Sequence, residues 1–199
     1  MTRARDLANI ADGDITGTLN LDGLTVAGNV SVDSGTIKLD GNYPVGTNNV
    51  ALGDAALDDG SLSGNLNTAI GYNAASSVTT GQRNTVVGAD ALRDTTDGIN
   101  NTAIGRSALL ANTSGNYNVA IGMDSLVANT TADNNTAVGY QALYDNTTGT
   151  QNTAVGSGTL ANNTTGDKST AVGFSALNAN TDGRNDAFGS FALYANTTG

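Results

Sequence analysis

The chain contains no cysteine, histidine, tryptophan or glutamate, and a single proline, Pro44. Each absence removes a class of explanation. Without cysteine there is no disulfide, and the redox compartment cannot be read from thiols. Without histidine or cysteine the usual nucleophile–base pairs are missing; Asp, Ser, Thr and two lysines distant in sequence, Lys38 and Lys168, are what remains. No phosphate-binding loop or metal-ligand cluster makes up for this, so the chain reads as non-enzymatic and without a cofactor. Glu, Gln, Lys and Met, the side chains that suit long helices, are scarce or missing, so long helices are not expected. Eight basic residues stand against eighteen aspartates, a net charge of −10. That balance argues against nucleic acid and against an anionic membrane surface. No run approaches the roughly 20 apolar residues that span a bilayer. The opening MTRARDLANIADGD lacks the apolar core of a signal peptide, so synthesis in a bacterial or host cytoplasm is expected.

What the sequence has is a 17-residue unit, repeated nine times. Gly53, Gly71, Gly88, Gly105, Gly122, Gly139, Gly156, Gly173 and Gly189 set the phase; the first interval is 18 residues, the last 16, and the six between are 17. The unit reads N-T-A-[IV]-G-x-x-A-L-x-x-N-T-T-G-x-x, counted here from Asn as position 1. A fixed short period is the mark of a solenoid, each unit one coil stacked on the next. In the unit Asn135–Gln151, residues 135–139 alternate as a short strand. Gly139 allows a bend or a close backbone approach. Ala142 and Leu143 return apolar groups to the interior, and Asn146–Gly149 form a turn with Gly149 free to take positive φ. Residues 140–146 suit either a second strand or one helical turn. Position 4 (Val138 here) and position 9 (Leu143 here) are the large apolar sites, and burying both would contribute about 3–6 kcal/mol per unit. Set against about 1–2 kcal/mol per ordered backbone, that core is thin. Backbone ladders and a core shared between chains, most simply three, are therefore expected. Nine coils at ~4.8 Å would span roughly 43 Å.

Three zones follow: an anchor segment at 1–14, a short-strand β-stem at 15–48 and the repeats at 49–199. In the stem, Leu19, Leu21, Leu24, Val26, Val30, Val32, Ile37 and Leu39 alternate in bursts between glycines. The array stops within a unit at Gly199 without a polar cap, so it is expected to continue or to be covered by another chain.

Recurrent polar residues have structural readings first. Asn at positions 1 and 12 would stack into ladders, and the N-x-[ST] sequons at position 12 are by-products of the repeat. Thr at position 13 recurs in eight units, from Thr79 to Thr197; these hydroxyls are expected to be satisfied in turns, with an ice-binding row as the alternative. Asp12, Asp14 and Asp22 fail the EF-hand spacing, since Gly23 stands where a bidentate Glu is needed. The aromatics at positions 6 and 10 (Tyr72, Tyr140, Phe174, Tyr144, Tyr194) suit packing between chains, or a stripe for sugar stacking.

The run Ala137-Val138-Gly139-Tyr140-Gln141-Ala142 resembles the head repeats of trimeric autotransporter adhesins, which are parallel β-rolls with a shorter unit. The full unit is more similar to repeats in bacteriophage tail-fibre and virion appendage proteins. Arg3-Ala4-Arg5-Asp6-Leu7-Ala8-Asn9 resembles the start of tail-fibre proteins from aquatic phages, and Gly23-Leu24-Thr25-Val26-Ala27-Gly28-Asn29-Val30 resembles their short-strand segments. The resemblance implies an all-β, elongated homotrimeric fibre: a β-stem, then a parallel β-roll or β-solenoid. It would be a virion structural protein, the proximal part of a tail fibre. Arg3, Arg5, Asp6, Leu7 and Ile10 would dock on the tail or baseplate, and a distal part or another chain would meet the host receptor. A bacterial surface adhesin head and an ice-binding solenoid are the alternatives.

Overall fold

The computed structural model describes residues 48–197. The anchor residues Arg3, Arg5, Asp6, Leu7 and Ile10, residues 15–47 of the β-stem and Asp12, Asp14 and Asp22 lie outside them. Among the described residues there is no helix.

Among the described residues nine three-residue strands form one parallel sheet in chain order: β1 (Val50–Leu52), β2 (Thr68–Ile70), β3 (Thr85–Val87), β4 (Thr102–Ile104), β5 (Val119–Ile121), β6 (Thr136–Val138), β7 (Thr153–Val155), β8 (Thr170–Val172) and β9 (Asp186–Phe188). The register matches the period, so Ala137 of β6 pairs with Ala120 and Ala154. The repeats are therefore successive coils of a parallel β-solenoid.

The backbone ladder does not stop at the strands. In the coil of β6, Thr136 N–H donates to Asn152 O (2.8 Å) in the following coil, and Gly139 N–H to Ile121 O (2.7 Å) in the preceding one. Further round, Gln141 donates back to Met123 O (3.1 Å), while Leu143, Asp145 and Thr147 donate forward to Thr159, Ala161 and Thr164 (3.0, 2.8 and 2.9 Å). Gln151 closes the coil with a bond back to Asp133 O (3.2 Å). Backbone groups that turns usually leave to water are here paired between coils.

Residues 140–146 are neither of the two expected forms. They are a run of turns, closed by Ala142 N–H to Gly139 O (3.3 Å) and Asn146 N–H to Leu143 O (3.2 Å). Gln141 and Leu143 both sit in the left-handed region, with φ of 54° and 52°. Leu recurs in that conformation at position 9 in coil after coil, for example Leu92, Leu126 and Leu177. Each such residue costs about 1–2 kcal/mol. It is held because the inter-coil bonds and the buried side chain over-determine it. The turn after Asn146 also differs from expectation: Gln151, not Gly149, takes the positive φ, at 60°.

The core is narrower than the sequence reading supposed. Ala at position 3, Ala at position 8 and Leu at position 9 are buried, as with Ala137, Ala142 and Leu143. Position 4 is not: its side chain points away from this core, and Ile70, Ile104 and Phe188 are exposed. Alternation along T-A-[IV] places Ala on one face and both β-branched neighbours on the other. The inner side of so slender a coil takes a small residue, Ala in eight strands and Val86 in β3.

Two asparagine columns fill the remaining interior. At position 12, Asn146 Nδ2 donates to Asn129 Oδ1 (3.1 Å) and to Gly149 O (3.0 Å), and Asn163 Nδ2 donates to Asn146 Oδ1 (3.0 Å). At position 1 the pattern differs from an amide-to-amide ladder. Asn135 Oδ1 accepts the backbone N–H of Asn152 (2.9 Å), and its Nδ2 donates across the coil to Gly149 O (2.8 Å). Among the described residues no buried side-chain polar atom lacks a partner, as a low-dielectric interior requires.

Candidate interaction surface

The outward side chains of the sheet form two parallel rows. Position 2 supplies Thr68, Thr85, Thr102, Val119, Thr136, Thr153 and Thr170; position 4 supplies Ile70, Val87, Ile104, Ile121, Val138, Val155 and Val172. Neighbouring strands keep these rows in register. Exposure at position 4 ranges from partial to 38% at Ile70 between β2 and β8, and is higher in the end strands, 42% at Leu52 and 71% at Phe188. From β1 to β8 neither row carries a charge; Asp186 in β9 is the first. On a chain of net charge −10, this is the face where like-charged copies repel least. The position-4 row places apolar side chains side by side along one uncharged strip, a candidate interaction surface.

Charge lies elsewhere on the coil. Arg106 pairs with Asp124 across one coil step (3.2 Å), and Arg93 holds Asp94 (2.8 Å) with Asp90 at 3.9 Å. The hydrogen bond to Asp94 raises the Arg93 pKa further above its already high value. Side-chain exposure in these pairs runs from 16% at Asp124 to 57% at Arg106, and near-surface pairs of this kind contribute little to stability.

The aromatics at position 6 do not make a continuous stripe. Ala89, Arg106 and Met123 lie between Tyr72 and Tyr140, and Ser157 separates Tyr140 from Phe174. What the fold assembles instead is a local cluster. Phe174 meets Phe191 edge-on with centroids 5.1 Å apart, and Phe191 meets Tyr194 at 5.7 Å. Phe191, at position 7, was not singled out from the sequence; the 16-residue interval beside it is the one local irregularity that could have drawn attention to it.

The threonine row at position 13 faces solvent with its hydroxyls already used. Thr79, Thr113 and Thr147 donate to the carbonyls of Thr96, Thr130 and Thr164 at 3.0, 3.1 and 3.0 Å, and Thr181 to Thr197 at 2.9 Å. The sequon asparagines Asn112, Asn129, Asn146 and Asn163 are fully buried. No group of three or more acidic side chains that could hold a metal ion occurs among the described residues. A shallow cavity of about 230 Å³ lies beside the short interval, lined by Thr165, Gly166, Asp167, Thr181, Asp182, Gly183 and Arg184.

The sequence pattern could have revealed the outward rows. Three consecutive strand residues cannot all face in, and the smallest, Ala, marks the inner side. No protein family, curated protein or solved structure matches the chain.

Proposed function

We propose that this chain is a structural element of a virion, the proximal part of a bacteriophage tail fibre, in which three copies pack through the outward rows of β1–β8. The observation that carries the reading is the uncharged, β-branched face, which runs in register across eight strands of a strongly acidic chain. Val87, Ile121, Val138, Val155 and Val172 are only half-buried in the single chain, and a second and third copy would bury the remainder at about 25 cal/mol per Å². The regular coil suits a shaft, since it fixes length and surface without a catalytic centre. On this reading Arg3, Arg5, Asp6, Leu7 and Ile10 attach the fibre to the tail or baseplate, and the host receptor is met by a distal part or another chain.

The test is native mass by sedimentation. A trimer of three 19.9 kDa chains, near 60 kDa, supports the reading. It would then be followed by deletion of residues 1–14, which should leave the repeats folded but exclude the protein from particles. A monomer overturns the packing, and a thermal-hysteresis assay on it would then decide the ice-binding alternative.

A further inference from the structure

Three Asp-Gly pairs lie among the described residues: Asp59-Gly60, Asp97-Gly98 and Asp182-Gly183. The sequence treats them alike, but the fold does not. Asp182 stands in the coil that is one residue short, on the wall of the 230 Å³ cavity. Its Oδ1 accepts the N–H of Gly183, the next residue, at 2.8 Å. The backbone nitrogen is thus held against the carboxyl group with which it would close a five-membered ring. At Asp59 the carboxylate is turned past Gly60 and accepts both the N–H and the hydroxyl of Ser61. Those two bonds also hold the Asp59 carboxyl below its ordinary pKa and deplete its protonated form. At Asp97 the Oδ1 accepts the Thr96 hydroxyl (3.4 Å), and Gly98 is buried.

We propose that Asp182-Gly183 is a site of spontaneous isoaspartate formation, selected by the geometry of the short coil. The Gly183 nitrogen attacks the Asp182 carboxyl carbon in its protonated form. The new N–C bond forms as the carboxyl hydroxyl, joined by the amide proton, leaves as water. Water from the adjoining cavity then opens the succinimide at either carbonyl. Attack at the side-chain carbonyl restores aspartate. Attack at the main-chain carbonyl gives isoaspartate, with the chain running through the former side chain. No oxidant or co-reactant is needed, and the product has the mass of the parent. Proximity of the reacting groups accelerates such an intramolecular step, once the N–H turns from Oδ1 so that the nitrogen faces the carboxyl carbon. The product adds one backbone atom to the coil that is short of one residue, beside the Arg184 N–H to Asp167 O bond (2.7 Å).

The experiment is incubation of the full-length protein at mildly acidic pH and 37 °C, followed by peptide mapping and enzymatic methylation of isoaspartate. Isoaspartate should accumulate at position 182 at least about tenfold faster than at 59 or 97. In urea the three sites should converge, because the unfolded chain has no short coil. Asp182→Glu, whose six-membered ring closes poorly, should abolish the signal at 182 while circular dichroism stays unchanged. Equal rates at the three sites in the folded protein, or no isoaspartate at 182, would overturn the proposal.

Discussion

Gly139 and Gly156 face each other across one coil step, and a Cβ added to Gly139 would lie 2.5 Å from the Gly156 carbonyl oxygen. The φ of Gly139 is +135°, a conformation that L side chains rarely adopt. Gly139→Ala should therefore lower stability by about 2–4 kcal/mol, from backbone strain and a forced separation of coils. Urea titration reads this directly. Gly149→Ala is the contrast: a Cβ there would also press on a carbonyl of the next coil, Gly166 O, but its φ is not positive, and Ala132 fills the same position in its own coil. It should cost less than Gly139→Ala; an equal loss would refute the distinction.

Asn146 belongs to the buried amide column. Asn146→Ala would leave Asn129 Oδ1 without a donor, while Gly149 O keeps Asn135 Nδ2 and Asn163 Nδ2 keeps Gly166 O. A loss of about 2–4 kcal/mol is expected, because unpaired buried groups keep their desolvation cost. Thr147→Ala, in the exposed row, removes one bond to Thr164 O and should cost about 1 kcal/mol or less. Thermal melts of the two variants check the order.

Val138 and Leu143 sit in one coil and face opposite ways. Leu143→Ala should destabilise the fold by about 2–4 kcal/mol. Val138→Asp should leave the isolated coil folded, since its side chain is outward, but lower the native mass by placing three carboxylates on the proposed contact. Sedimentation together with circular dichroism separates the two effects. Loss of fold in Val138→Asp would show that position 4 supports the coil itself.

The sequons offer a test of burial. Asn112, Asn129, Asn146 and Asn163 are inaccessible in the folded chain, and at Asn146 the Nδ2 that a glycan would occupy already donates two bonds. Folded protein treated with an oligosaccharyltransferase should remain unmodified at all four, while unfolded chain is modified. Mass spectrometry of both samples reads the result.

The sequence by itself determined the solenoid, because glycine recurring at one spacing permits only stacked, equivalent coils. It also determined the inward Leu143 and the amide column at position 12, whereas at position 1 Asn135 bonds to backbone instead of to another amide. The direction in which Val138 points could have been read from its alternation with Ala137, but hydrophobicity alone argued for the interior. Tertiary structure decided three things. It put left-handed φ on Leu143 and Gln151, which intrinsic propensity opposes and inter-coil bonding enforces. It set the second half of the coil as turns zipped to both neighbours, because the N–H groups of Gln141, Leu143, Asp145, Thr147 and Gln151 find carbonyls 16 to 18 residues away while Ala142 and Asn146 close local turns. And it separated Asp182-Gly183 from two identical dipeptides, since only the spacing between coils determines which carboxylate meets its own following amide.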